Sequence, residues 1–285
     1  MFEGFKLEMI DTGEATLRVR HAGQGPPLLL LHGAPQTHVT WHLVAPGLAR
    51  DFTVVCADLR GYGESSKPET APDHEPYSKR AMARDMVSLM QSLGHERFAI
   101  AGHDRGGRVA YRMALDHPQR VTALATLDIV PTYDTFRRTD MDFALGYWHW
   151  WFLAQPYPLP ERMIEAYPDS FYRERPDRPH PEVSADYAGC GRIPGTIHAL
   201  CEDYRAAATY DYKLDEADKG TRRITAPLLA LWGGRGRMGR WFDVLATWRE
   251  WADDVQGGAL DCGHSLQEEA PDATHEALRA FFSTH

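Results

Sequence analysis

The stretch that decides the fold reads FAIAGHDRGGR and covers residues 98–108. Its first half is apolar, as in a buried strand, and its second half opens a helical pattern. Asp104 stands between the two halves, with Gly102, Gly106 and Gly107 around it. Small residues are needed where a strand turns sharply into a helix that packs against its sheet. The stretch therefore predicts the strand-to-helix turn usually written G-x-S-x-G, with Asp104 at the nucleophile position.

Aspartate in place of serine changes the chemistry that such a turn supports. A carboxylate attacks saturated carbon and becomes an alkyl ester, whereas a serine is acylated. The sequence therefore argues against a serine esterase. The alternative is that Asp104 only occupies the first turn of a helix, where the helix dipole favours an acidic residue.

The composition of the chain is that of a globular protein and argues against several classes of partner. Of the 285 residues, 43% are hydrophobic and 25% are charged. The formal net charge of −9 argues against nucleic acid or an anionic membrane as a partner. Apolar runs stay well short of the ~18 residues of a membrane span, and residues 1–20 lack the apolar core of a signal peptide. We therefore expect a cytoplasmic protein.

Neither a metal nor a cofactor is expected. His38 and His42 have the spacing of zinc ligands on a helix, but the sequence offers no third ligand nearby. The glycines of residues 234–239 imitate a dinucleotide motif, yet they lie near the end of the chain rather than in a first βαβ unit. The four cysteines, Cys56, Cys190, Cys201 and Cys262, do not show the paired spacing along the sequence that would indicate a zinc site or a disulfide framework.

Continuous apolar runs recur along the chain, as in strands that are buried on both faces of a parallel sheet. Examples are residues 28–31, 53–57, 121–129 and 227–232. Helical patterns separate these runs until residue 131, after which the chain becomes rich in Trp, Tyr, Pro and Arg without a convincing strand. We predict a doubly wound α/β core of residues 1–130 and 226–285, with an inserted helical cap at residues 131–225.

A carboxylate nucleophile needs a base that activates water against its ester, and the base needs an orienting acid. His264 follows the last short strand in a glycine-flanked loop, and the order nucleophile, acid, histidine is that of the α/β-hydrolase fold. No carboxylate follows the strand that ends at Gly233 until Asp243, so we assign the acid to Asp128, at the end of the preceding core strand. Alternatively, Asp128 caps a turn and His264 is an ordinary surface residue.

Backbone amides and two arginines complete the predicted site. The N–H groups of Ala34 and Arg105 are expected to hold the ester carbonyl oxygen. Arg105 and Arg108 lie one and four residues beyond Asp104. They could form ordinary ion pairs with it, but a carboxylate tied up in this way would be a poor nucleophile. We expect them to grip the carboxylate of a substrate.

The chain resembles the fluoroacetate (haloacetate) dehalogenases of the α/β-hydrolase superfamily over nearly its whole length. The matching motifs are HGAPQTH at residues 32–38, DLRGYG at 58–63, GHDRGGR at 102–108, LD at 127–128, HW at 149–150, CEDYR at 201–205 and GH at 263–264.

The resemblance implies the α/β-hydrolase fold, with a mostly parallel central sheet flanked by helices. It also implies that Asp104 displaces halide from the α-carbon while Arg105 and Arg108 hold the carboxylate. The halide pocket of the family maps onto His149, Trp150 and Tyr204, with Tyr212 the less favoured tyrosine. A homodimer is implied as well.

The sequence therefore predicts a cofactor-free hydrolase of short 2-haloacids, in which an ester of Asp104 is hydrolysed by water that His264 activates. An epoxide hydrolase of the same fold is the first alternative. It would need two cap tyrosines and has little use for paired arginines. A non-catalytic receptor for small carboxylates is the second.

Overall fold

The computed structural model describes residues 1–172 and 180–285. Its central feature is one eight-stranded sheet with the strand order β1-β2-β4-β3-β5-β6-β7-β8. The strands are β1 (Lys6–Asp11), β2 (Thr16–Ala22), β3 (Pro27–Leu31), β4 (Thr53–Ala57), β5 (Phe98–His103), β6 (Val121–Leu127), β7 (Leu228–Gly233) and β8 (Val255–Leu260).

The sheet is parallel from β4 to β8, and β1 and β2 pair antiparallel at one edge. β3 shows why its apolar run is continuous. Leu29 and Leu31 enter one hydrophobic cluster, and Leu28 and Leu30 enter the cluster on the opposite face. Successive side chains of a strand point to opposite faces, so a strand covered on both sides needs apolar residues throughout.

Helices cover both faces of the sheet and form the segment between β6 and β7. They are α1 (Ala45–Leu48), α2 (Lys79–Ser92), α3 (Arg105–Asp116), α4 (Thr132–Arg137), α5 (Met141–Gly146), α6 (Trp148–Leu153), α7 (Leu159–Ala166), α8 (Asp169–Tyr172), α9 (Pro181–Gly191), α10 (Thr196–Ala206), α11 (Tyr212–Asp218), α12 (Met238–Trp241), α13 (Val244–Arg249), α14 (Leu266–Glu269) and α15 (Pro271–Phe282).

The segment between β6 and β7 holds helices α4 to α11, and its described residues add no strand to the sheet. It coincides with the predicted cap at residues 131–225, of which residues 173–179 lie outside the described residues. None of the helices in the described part of the chain is both long and apolar enough to cross a membrane.

Two elements differ from the sequence-based expectation. The edge strand β1 was not predicted, because charged residues are mixed with its apolar ones and Leu7 and Met9 are themselves exposed. The sequence pattern of residues 241–251 is typical of a single helix, but in the structure α12 ends at Trp241 and α13 covers only Val244–Arg249. Asp243 causes the division, since its side chain accepts a hydrogen bond from Ala246 N and so starts a new helix.

Candidate active site

Asp104 lies on a strained turn between β5 and α3. Its backbone has φ 47° and ψ −114°, a conformation that L-residues rarely adopt. A Cβ built on Gly102 would overlap the backbone of Gly106, and one on Gly106 would lie 2.6 Å from His32 O. The small residues of the motif are therefore required by the close approach of α3 to the sheet, as the sequence predicted.

The loop after β3 brings a backbone donor to the nucleophile. Ala34 N donates a hydrogen bond to Asp104 Oδ1 at 2.9 Å. A Cβ on Gly33 would lie 2.5 Å from Asp104 Cβ, so the loop can approach this closely only with glycine there. Arg105 N belongs to the first turn of α3, where N–H groups lack intrahelical acceptors.

His264 stands between the two aspartates that the sequence singled out. Its Nδ1 is 2.5 Å from Asp128 Oδ2, and its Nε2 is 4.0 Å from Asp104 Oδ2. Asp128 is held in turn by Gly233 N, which donates to its Oδ1 at 2.9 Å. The structure thus brings together three residues that are spread over 160 positions of the chain (264 − 104).

The charges of these groups shift their proton affinities in opposite directions. Burial alone would lower the pKa of His264, but its hydrogen bond to Asp128 and the charges of Asp128 and Asp104 raise that pKa to about 9. Burial would raise the pKa of Asp104, yet the neighbouring His264 and Arg105 hold it well below its usual range. Asp104 is therefore ionised at neutral pH.

A cavity of about 510 Å³ opens onto Asp104 and His264. The predicted halide-pocket residues His149, Trp150 and Tyr204 all line this cavity. Tyr212 does not line it; its ring packs on that of Tyr133 with a centre-to-centre distance of 5.4 Å. The full lining comprises Ala34, Pro35, Asp104, Asp128, Gly146, Tyr147, His149, Trp150, Leu153, Phe171, Leu200, Tyr204, Arg235, Gly236, Arg237 and His264.

The three predicted halide-pocket residues offer neutral donors. Burial lowers the pKa of His149 to about 4, so its imidazole is uncharged at neutral pH and keeps one N–H. Burial raises the pKa of Tyr204 to about 12, so its hydroxyl keeps its proton.

The two arginines lie behind the aromatic wall of the cavity. Arg105 Cζ is 3.4 Å from the ring centre of Tyr204 and 4.7 Å from that of Trp150, and Arg108 Cζ is 4.5 Å from that of Trp150. Arg105 is fully buried, and none of its three guanidinium nitrogens has a hydrogen-bond acceptor among the described residues. It lies 3.7 Å from Asp203 Oδ1.

Arg108 has acceptors for part of its guanidinium group only. Its Nη1 donates to Val130 O and Thr132 Oγ1, both at 3.1 Å, while its Nε has no acceptor within the described structure. No ion pair within 4.0 Å joins either arginine to Asp104 in the described part of the chain.

Tyr147, Arg237 and His103 are among the residues of the site that were not singled out from the sequence. Tyr147 and Arg237 line the cavity, and His103 contacts the carbonyl oxygen of His264 with its Nε2 at 2.9 Å. Tyr147 lies in a run of aromatic residues, any of which could have packed the cap on the core. His103 immediately precedes Asp104, and that position was the one available signal for it.

The described residues contain no cluster of three or more His, Cys, Asp or Glu that could hold a metal ion. The cysteines Cys56, Cys190, Cys201 and Cys262 are all buried and free.

Comparison with known proteins agrees with this architecture. A family model of the alpha/beta hydrolase fold matches residues 26–277. The chain belongs to the α/β-hydrolase family. A crystal structure of a Nostoc sp PCC 7120 protein assigned to the alpha/beta hydrolases matches with a TM-score of 0.96 and 52% identity, covering 100% of both chains.

Two curated relatives of this α/β hydrolase differ in their activities. A fluoroacetate dehalogenase of Burkholderia sp is 47% identical over 99% of this chain and 95% of its own length. A soluble epoxide hydrolase of Corynebacterium sp. (strain C12) is 34% identical over 92% of this chain and 92% of its own length. The fold, the haloacetate dehalogenase family and the hydrolase class predicted from the sequence are confirmed.

Proposed function

We propose that this α/β hydrolase converts short 2-haloacids, such as fluoroacetate or chloroacetate, and water into the 2-hydroxyacid, halide and a proton. The observation that carries the proposal is Arg105, a fully buried cation beside the nucleophile whose N–H groups have no acceptor in the described structure. Its ion pair with Asp203, at 3.7 Å, is too long for a hydrogen bond, and a buried cation whose N–H donors are unsatisfied is costly. The carboxylate of a haloacid lying beside Asp104 would supply the missing acceptors, and the arginine forks match its geometry.

In the first step, Asp104 attacks the α-carbon of the substrate from the side opposite the halogen. A bond forms between a carboxylate oxygen and carbon while the carbon–halogen bond breaks, and the halide leaves with the bonding electrons. A leaving fluoride is strongly hydrated in water. The donors of His149, Trp150 and Tyr204 can replace that hydration in a cavity with apolar walls.

In the second step, His264 takes a proton from a water molecule that attacks the carboxyl carbon of the Asp104 ester. The N–H groups of Ala34 and Arg105 hold the developing oxyanion, and Ala34 already lies 2.9 Å from Asp104 Oδ1. Collapse of the intermediate expels the hydroxyacid and restores the Asp104 carboxylate. Asp128 holds the ring of His264 and stabilises its positive charge.

The order of the steps matches the charge on His264. Before reaction, two carboxylates raise the pKa of His264 to about 9, and the protonated ring keeps Asp104 ionised. Ester formation removes the charge of Asp104, which lowers the pKa of His264. The histidine therefore becomes a better base when the second step needs one.

The test is halide release from fluoroacetate and chloroacetate by the wild-type protein and by Asp104→Asn. Equal release by both would remove the nucleophile assignment. A single turnover in heavy-oxygen water should also place label in the peptide that carries Asp104, since the attacking water leaves one oxygen in its carboxylate. Binding of small acids without halide release or label would instead indicate a non-catalytic receptor.

An epoxide hydrolase is the second candidate, because Tyr147 and Tyr204 both line the cavity above Asp104. Burial raises the pKa of each hydroxyl, so both tyrosines keep a proton that could go to an epoxide oxygen. The similar epoxide hydrolase of Corynebacterium points the same way. Turnover of styrene oxide without turnover of haloacids would decide for this alternative.

The domain organisation and the assembly are part of the proposal. We place the catalytic core in residues 1–130 and 226–285, with residues 131–225 as a cap that supplies His149, Trp150 and Tyr204. Six large apolar side chains on α5 to α7 and the turn after α7 are more than half exposed, and we call them the apolar cap surface: Met141, Leu145, Trp148, Leu159, Met163 and Tyr167. Such a surface supports a homodimer. The four free cysteines fit a reducing cytoplasm.

A further inference from the structure

The cavity is much larger than a haloacetate needs. Its volume of about 510 Å³ lies within the ~300–1,000 Å³ of pockets that hold drug-sized ligands. A two-carbon acid leaves most of this space unfilled. Leu153, Phe171 and Leu200 contribute apolar wall to the remainder, so the site has room for a longer carbon chain attached to the reacting carbon.

Arg237 lines the same cavity and is exposed to solvent, so it stands at the open side of the cavity. A Cβ placed on Gly146 would overlap Arg237 Nη1 and would lie 2.6 Å from Trp241 Cζ2. Gly146 does not have a positive φ, so its backbone does not require glycine. The close approach of the Trp241 ring limits the space there, and the end of the Arg237 side chain occupies part of that space. Arg237 Cζ also lies 5.6 Å from the ring centre of Trp241, within cation–π distance.

Arg237 differs from its charged neighbours because its cation has no counter-ion. No carboxylate of the described residues lies within 4.0 Å of it. Asp142, which contacts the same indole, accepts a hydrogen bond from Trp241 Nε1 at 2.7 Å. The second arginine of this loop, Arg235, pairs with Asp261 at 3.4 Å. In a chain with a net charge of −9, an unpaired guanidinium lining a cavity is a place for an anion.

We propose that Arg237 forms a second anion site in this cavity and that the preferred substrates are 2-haloacids with a second carboxylate at the far end of the chain. The inference rests on the proposed dehalogenase function and extends it to a substrate class. Arg105 and Arg108 serve the carboxylate next to the reacting carbon, the apolar wall holds the methylene groups, and Arg237 binds the distal carboxylate.

The first experiment varies the length of the substrate carbon chain to find the spacing at which a second carboxylate reaches Arg237. Rates of chloride release are measured for 2-chlorosuccinate, 2-chloroglutarate and 2-chloroadipate, each against the 2-chloromonocarboxylate of the same carbon number. At the best length, the wild-type kcat/KM should favour the dicarboxylate by about tenfold, as expected for one charged hydrogen-bond partner. Arg237→Gln should remove this preference through KM, with kcat unchanged, because the contact is equally strong in the ground state and the transition state.

Arg240→Gln is the matched control. Arg240 is exposed on α12, the short helix that begins directly after Arg237, and it does not line the cavity. This variant loses an equal charge and should keep the preference for the dicarboxylate. The proposal is overturned if the wild-type protein treats the two acid series alike at every length, or if Arg237→Gln keeps the full preference.

A second measurement separates this inference from the proposed function. If chloroacids of neither series release chloride, the dehalogenase proposal fails, but binding still tests the anion site. Calorimetry should then show succinate, glutarate or adipate binding about tenfold more tightly than butyrate, valerate or hexanoate in the wild-type protein, and equally weakly in Arg237→Gln. Equal binding in the wild-type protein overturns the second site whether or not haloacids are substrates.

Discussion

At the scale of single residues, the position of His264 between two carboxylates leads to a prediction about its replacement. His264→Gln should keep the first step, because the charge of Arg105 and the hydrogen bond from Ala34 N still lower the pKa of Asp104 when the charge of His264 is gone. It should slow ester hydrolysis by about 100-fold or more, the usual contribution of a general base. We expect one halide per active site in a rapid burst and then almost none, with the mass of the carboxyalkyl group of the substrate retained on the peptide of Asp104.

The control for this burst is Asp104→Asn, which should release no halide because it lacks the nucleophile. Continued multiple turnover by His264→Gln at the wild-type rate would contradict the role given to the histidine.

The raised pKa of His264 predicts how the wild-type enzyme depends on pH. The imidazole must be neutral to accept a proton from water, and its pKa is about 9 before the ester forms and lower afterwards. As pH falls through that lower value, the ring becomes protonated and hydrolysis slows, while Asp104 stays ionised and continues to attack. The halide burst should therefore grow from alkaline to mildly acidic pH. Rapid-mixing measurements of halide release would detect the burst. A burst that becomes smaller as pH falls would contradict the predicted direction of the pH dependence.

At the scale of elements, the crossing of β5 and α3 predicts opposite effects for two glycine substitutions. Gly102→Ala places a Cβ against the backbone of Gly106 and Gly107, which cannot move aside as a flexible side chain could. We expect a loss of about 1–3 kcal/mol in the free energy of unfolding, as for other overpacked sites. Urea denaturation with matched activity assays measures this loss.

The matched control is Gly189→Ala in α9, where an added Cβ meets nothing within 4 Å. Helix propensity alone should then raise the free energy of unfolding by about 0.5–1 kcal/mol. Equal effects of the two substitutions would mean that the close crossing is not what selects Gly102.

The parts of the molecule that the sequence predicted are those encoded locally. Eleven consecutive residues determine the turn at Asp104. The continuous apolar runs indicate strands that are buried on both faces of the sheet. Asp128 and His264 could be placed because parallel strands carry the residues that follow them to the same edge.

The parts that were missed depend on packing between distant segments. Nothing in the run from Tyr147 to Phe152 tells which rings face the cavity, since that is decided by how the helices of the insert lie on the core. Arg237 became a candidate for anion binding only in the structure, which places its guanidinium group in the cavity lining beside Gly146, 91 positions earlier (237 − 146). β1 was missed because it lies at the edge of the sheet, where its apolar residues Leu7 and Met9 are exposed and mixed with charged ones, so they do not form a buried run.

At the scale of the whole molecule, the apolar cap surface predicts the state of assembly. Met141 and Leu145 lie one turn apart on α5, and Leu159 and Met163 lie one turn apart on α7, so each pair forms a short exposed apolar stripe. Trp148 at the start of α6 and Tyr167 just after α7 complete the surface. A second copy of the chain could cover both stripes by twofold symmetry.

We therefore expect light scattering to give about twice the chain mass of 32.2 kDa. The double variant Leu145→Lys and Met163→Lys should be monomeric, because it places one lysine in each stripe and dimer formation would bury both charges. Met9→Lys is its control, since Met9 is comparably exposed on β1 but lies outside the apolar cap surface. Loss of the dimer in both proteins, or in neither, would show that these stripes are not the interface. A monomeric variant that keeps full halide release would further show that each chain carries a complete active site, as expected because Asp104, Asp128 and His264 of one chain already lie together.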